Sequence, residues 1–176
     1  SLTVTLGNDL PVSSLALNWN VSLEGSTPPI HGTDESDVLN GTEQTDVIYA
    51  GAGDDVINAG EGRDVISAGS GSDVINAGAG DDFITIDGSD SLADILDGGA
   101  GFDTMNGGIG DDIYTLNIGD GQDQVFDIFG HNTIRFGADI EVDNIELERD
   151  GKALIIQYGQ GDSVRLNNAF KSGFFS

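Results

Sequence analysis

The chain has 176 residues and carries 31 Asp and Glu against six Lys and Arg, for a formal net charge of −25. Such a charge disfavours nucleic acid and anionic membranes as partners, and the absence of cysteine excludes disulfides, thiolate metal sites and cysteine nucleophiles. No apolar run approaches the roughly 18 residues that a membrane-spanning helix needs, and the chain starts without methionine or a recognisable leader, as expected of a segment of something larger.

Residues 1–31 read as a short β element followed by a linker. Leu15, Leu17, Trp19, Val21 and Leu23 alternate with polar or small residues, as Leu2, Val4 and Leu6 do before them, and a strict alternation gives a strand one apolar face. Trp19 fits that face as a core residue. The run Gly25–Ser26–Thr27–Pro28–Pro29 then breaks the pattern.

From Gly32 the chain falls into rows of nine: GTDESDVLN, GTEQTDVIY, AGAGDDVIN, AGEGRDVIS, AGSGSDVIN and AGAGDDFIT. A longer row, IDGSDSLADILD (86–97), interrupts the period before GGAGFDTMN and GGIGDDIYT resume it up to residue 115. Position 6 is aspartate throughout, at Asp37, Asp46, Asp55, Asp64, Asp73, Asp82, Asp103 and Asp112, with Asp94 taking the role in the long row if its three extra residues bulge out. Position 8 is apolar in every row, from Leu39 to Tyr114. Glycine at positions 2 and 4 suits a turn with positive φ and close backbone approach. Each row thus predicts a six-residue turn and a three-residue strand with position 8 alone pointing inward.

Residues 116–176 form a third region, which reads as a cap. Thr133–Phe136, Ile145–Arg149, Ala153–Tyr158 and Ser163–Asn167 have strand patterns, with Asp150–Gly151 as a hairpin turn. Phe126, Phe129, Phe136, Tyr158 and Phe170 lie here. An antiparallel, aromatic-rich cap would cover the open edge left by stacked repeats.

Two rows back to back make one coil of 18 residues. Asp37, Asp55, Asp73, Asp94 and Asp112 then fall in one column, and Asp46, Asp64, Asp82 and Asp103 in the other. Carboxylates ~5 Å apart repel by roughly 1 kcal/mol in water and about 3 at an effective dielectric near 20. So thin a core does not hold them together; a cation between the loops does. Carboxylates and turn carbonyls are hard oxygen donors, the preference of Ca²⁺, whereas Mg²⁺ demands a tighter octahedron. His31 and His131 lie outside the nine-residue rows and read as surface or loop residues.

The rows resemble the RTX (repeats-in-toxin) nonapeptide G-G-x-G-x-D-x-U-x, most closely in GGAGFDTMN and GGIGDDIYT; IGDGQDQVFD (118–127) resembles the region flanking such repeats. The resemblance implies an all-β fold, a right-handed parallel β-roll, over residues 32–115, with an N-terminal β element and an antiparallel C-terminal cap on either side. It implies Ca²⁺, about five to eight ions, shared between loops two rows apart. The ligands would be the nine position-6 aspartates and carbonyls at Gly51, Gly53, Gly60, Gly62, Gly69, Gly71, Gly78, Gly80, Gly99, Gly101, Gly108 and Gly110. It also implies a secreted or bacterial cell-surface protein, exported unfolded through a type I secretion apparatus. Neither H-E-x-x-H nor G-x-S-x-G occurs, so the segment reads as non-catalytic and any enzyme domain lies elsewhere in a parent protein. The alternatives are an accessory module of a secreted protease, lipase or alginate epimerase, and a glycan- or peptide-binding adhesin segment using the element around Trp19.

Overall fold

Each row turns a corner and hands the chain to the opposite sheet. The computed structural model describes residues 27–170 except 88, 128 and 160; of the β element and linker expected over residues 1–31, the part around Trp19 lies outside the described residues. Fifteen strands are described: β1 (Ile30–His31), β2 (Val38–Asn40), β3 (Val47–Ala52), β4 (Val56–Glu61), β5 (Val65–Ser70), β6 (Val74–Ala79), β7 (Phe83–Thr85), β8 (Ile95–Ala100), β9 (Thr104–Asn106), β10 (Ile113–Leu116), β11 (Gln122–Val125), β12 (Thr133–Phe136), β13 (Glu146–Asp150), β14 (Ala153–Gln157) and β15 (Ser163–Leu166). Among the described residues there is no α-helix, only a 3-10 turn at Val142–Asn144.

One sheet runs β1-β3-β5-β7-β9-β11-β15-β14-β13 and the other β12-β10-β8-β6-β4-β2. All pairings are parallel except β13 with β14 and β14 with β15. The architecture is the parallel β-roll of the sequence reading. Its register places like on like: Ile48 pairs with Ile66, and Ile57 with Ile75.

Two details depart from the sequence reading. Most middle strands run six residues rather than three, continuing from position 7 of one row to position 3 of the next. Position 8 is also not alone in the core. Ile48, Ile57, Ile66 and Ile84 are fully buried, and so are Ala50, Ala59, Ala68 and Ala77 at position 1. A strand two residues past position 8 again faces inward. Every nine-residue row carries Ala or Gly there, whereas the long row carries Ile86, which is buried as well. Each buried Ile or Leu contributes roughly 1.5–3 kcal/mol.

The parallel stack runs beyond the 32–115 rows at both ends. β1 pairs with β3, and β11 and β12 continue the two sheets. Thr133–Phe136 is therefore a last parallel strand of the roll, whereas β13, β14 and β15 form the antiparallel cap, joined to the roll by the parallel pair β11–β15. The β13–β14 turn is Gly151–Lys152, with Asp150 paired to Ala153. Ile156, Tyr158 and Val164 join the core of the roll, and the Phe136 and Tyr158 rings lie 5.7 Å apart.

Candidate metal centre

The loops are shaped by close approach. At Gly69 (φ +103) and Gly80 (φ +141), a Cβ would overlap the carbonyl of the loop one coil earlier, so only glycine lets successive loops touch. Of the twelve glycines singled out from the sequence, eleven have positive φ; Gly110 does not, and a Cβ there would overlap the Leu92 carbonyl instead.

This contact brings the position-6 aspartates into two ladders. In one, the Asp37 N–H donates to Asp55 Oδ1 (2.8 Å), Asp55 N–H to Asp73 (2.9 Å), Asp73 N–H to Asp94 (2.8 Å) and Asp94 N–H to Asp112 (3.0 Å). In the other, Asp46 N–H donates to Asp64 (2.8 Å), Asp64 N–H to Asp82 (2.7 Å) and Asp82 N–H to Asp103 (2.8 Å). The three extra residues of the long row are absorbed as a 21-residue step, and Asp94 takes the ladder position.

Both ladders extend past residue 115. Asp103 N–H donates to Asp123 Oδ1 (3.1 Å) and Asp112 N–H to Asn132 Oδ1 (2.9 Å). Sequence reasoning passed over Asp123 as a site residue, although IGDGQDQVF carries both glycines and the aspartate of a full row. Two inserted residues, Leu116–Asn117, hide its phase. Asp90 was also passed over; it is buried, with Oδ2 accepting the Gly71 N–H (2.8 Å) and Oδ1 the Leu92 N–H (3.0 Å).

The second carboxylate oxygen is the feature that calls for a ligand. In Asp46, Asp55, Asp64, Asp73, Asp82, Asp94, Asp103 and Asp112 one side-chain oxygen is buried and has no hydrogen-bond partner. Buried polar atoms are normally satisfied, because leaving a charged one bare costs several kcal/mol. Burial, opposed by the ladder N–H and reinforced by neighbouring carboxylates, raises the carboxyls to about 6 in Asp73, Asp82 and Asp112 and about 7 in Asp94 and Asp103. In Asp123 the same causes raise it to about 8. Such a group takes up a proton or a cation.

The first two rows differ. Thr33 donates its N–H (2.6 Å) and hydroxyl (2.8 Å) to Asp37 Oδ2, and Thr42 does the same for Asp46 (2.7 and 2.8 Å). In Asp46 burial is outweighed by hydrogen bonds, those of Thr42 among them, and its pKa falls. Threonine at position 2 supplies hydrogen bonds at the end of the stack. Among the described residues no three Asp, Glu, His or Cys side chains gather into a ready-made cage, so a cation between loops needs backbone carbonyls as well. The resulting set of carboxylates and carbonyls is all oxygen, and it fits Ca²⁺.

The RTX calcium-binding nonapeptide repeat profile matches this chain four times, over residues 31–66, 51–84, 59–92 and 88–125. The chain belongs to the RTX calcium-binding repeat family. RTX repeats form a structural calcium-binding module, and the four matches cover the same rows that build the two ladders. Comparison with curated proteins gives no significant match. Among solved structures, the extracellular lipase LipA from Serratia marcescens is similar with a TM-score of 0.43 and 14% identity, over 91% of this chain and 40% of the lipase chain. The chain thus spans well under half the length of that lipase. Among the described residues no helix is long and apolar enough to cross a membrane.

Proposed function

We propose that this RTX roll is a calcium-folded, non-catalytic module of a larger secreted protein, which stays unfolded where Ca²⁺ is scarce and folds outside the cell. The observation that carries this reading is the set of eight buried carboxylate oxygens without a partner. A cation between loops satisfies them and removes the repulsion along each column, and the glycine-rich turns lose too much entropy on ordering to fold without it. The position-6 aspartates from Asp37 to Asp112 hold the ions together with carbonyls of the positive-φ glycine turns, about five to eight ions in all. Type I export of the unfolded chain, with the ion gradient driving folding on the far side, is the use that a calcium-dependent fold suits.

Far-UV circular dichroism tests this directly. In EDTA the chain is expected to lack most of its β signal, which returns cooperatively as Ca²⁺ is added; Mg²⁺ at the same concentration restores little. A chain fully folded in EDTA overturns the proposal.

A further inference from the structure

The winding of the roll keeps its phase up to the first described residues. The Thr27 hydroxyl donates to the carbonyl of Thr45, 18 residues on (2.8 Å). At the same offset Ile30 pairs with Ile48 and His31 with Tyr49, and the His31 and Tyr49 rings stack at 5.3 Å. Residues 27–31 are thus the second half of a row that begins at Leu23, and the row before it reads SLALNWNVS, from Ser14 to Ser22. Position 8 stays apolar in both rows, at Val21 and Ile30. Position 6 holds Trp19 and Pro28, so neither row has a carboxylate there.

The end that these rows precede is unfinished. Among the described residues β2 (Val38–Asn40) is the last strand of its sheet, with β4 as its neighbour. Its inward residue Leu39 is 9% exposed, whereas Ile57 in the next coil is at 0%. Successive rows alternate between the two sheets, and β1 lies in the other one. A strand before β1 therefore falls on β2. The even column has no continuation of its ladder at this end, because Pro28 has no N–H to donate, and Asp46 Oδ1 is buried without a partner. In the odd column the corresponding residue is Trp19, which has one.

We propose that residues 19–24 dock on the free edge of β2 as one more parallel strand, closing the N-terminal end of the roll by apolar burial instead of a metal ion. The bonds of the later coils set the register. Val56 N–H donates to the Asp37 carbonyl (2.9 Å) and Gly41 N–H to the Asn58 carbonyl (2.8 Å). One coil earlier, the same bonds join Val38 N–H to the Trp19 carbonyl and Leu23 N–H to the Asn40 carbonyl. The ladder bond from Asp37 N–H to Asp55 Oδ1 (2.8 Å) likewise becomes one from Trp19 N–H to Asp37 Oδ1. Trp19, Val21 and Leu23 share one face of a strand, and in this register that face lies over Asp37, Leu39 and Gly41. Leu23 takes position 1, where Ile86 is buried in the long row. Left open, the edge of β2 would be a template for another chain.

Cysteine pairs in the whole chain test the register in excess Ca²⁺, since the sequence has no other thiol. Asn20→Cys with Val38→Cys places two outward thiols on neighbouring strands, Val38 being 69% exposed. Their Cα atoms lie ~5 Å apart, within disulfide reach, and an intramolecular bridge is expected on oxidation. Asn20→Cys with Asn40→Cys sets them roughly 8 Å apart, beyond the ~7 Å limit, and stays reduced. Bridging in both pairs or in neither overturns the proposal. So does an intermolecular bridge in the first pair, which puts a second copy of the chain on β2. Val21→Asp sets a charge against Leu39 and is expected to speed hydrogen exchange at Val38–Asn40 about tenfold or more, leaving Val74–Ala79 as in the wild type. Unchanged exchange at Val38–Asn40 overturns the proposal even if the cysteine variants do not fold. A wild-type chain that folds in EDTA refutes the calcium reading and leaves all three measurements as they stand.

Discussion

Within one row, the aspartate at position 6 does two things at once. One oxygen ties its loop to the N–H one coil earlier, and in the middle rows the other is left bare in the interior. Asp64 lies mid-column, bonded by the Asp46 N–H while its own N–H bonds Asp82. Asp64→Ala removes a charge-assisted hydrogen bond worth roughly 1.5–3 kcal/mol and a ligand shared by the loops on either side. Asp37 has Thr33 on its Oδ2 and no bare buried oxygen, so Asp37→Ala costs about 0.5–2 kcal/mol, like the loss of a helix cap. The calcium midpoint for folding is therefore expected to rise clearly more in Asp64→Ala than in Asp37→Ala. Equal midpoints in a titration followed by circular dichroism would contradict the division between end rows and middle rows.

Single strands of the roll are too short to stand alone, and each depends on the edge it stacks against. The antiparallel cap supplies such an edge: β15 pairs with β11 in register from Gln122–Ser163 to Val125–Leu166, and Tyr158 and Val164 extend the core under it. The β13–β14–β15 meander needs no cation between its strands, so it is the element suited to form first and seed the coils. A chain ending at Phe136 loses the meander but keeps every parallel strand up to β12. It is expected to fold only at higher Ca²⁺, with faster exchange in β9 and β11 than in β3 and β5. If it folds at the same Ca²⁺ as the intact chain, the cap has no seeding role.

For the whole molecule, the net charge of −25 and the raised carboxyls set an acid response. Asp73, Asp82, Asp94, Asp103, Asp112 and Asp123 bind protons more tightly in the fold, at about 6 to 8, than at their ordinary 3.8. The folded, calcium-free chain thus holds more protons than the unfolded one between these values, and its stability rises as pH falls through 8 towards 4. Well above pH 8 all six are charged in both states, and the fold carries the full burial penalty. In EDTA, lowering the pH from 8 to 5 is expected to increase the β signal, with protons partly standing in for the ion. A signal that stays flat or decreases over that range would show that the buried carboxylates do not control folding.

The sequence by itself determined the nine-residue period, the alternation of rows between two sheets, the inward position 8, the aspartate columns and the hard-oxygen chemistry that selects calcium. All of these repeat locally, so a short window carries them. Tertiary structure decided what depends on contacts one coil or more away. The offset of 18 residues changes to 21 and then 20, which hid Asp123 and made Thr133–Phe136 look like part of the cap. Ala50 and its equivalents enter the core because each strand runs on past its row. The buried oxygens and the threonine ends arise where separate loops stack. A residue's own row does not record which neighbour will hold its side chain, because that neighbour is brought there only by the winding of the chain.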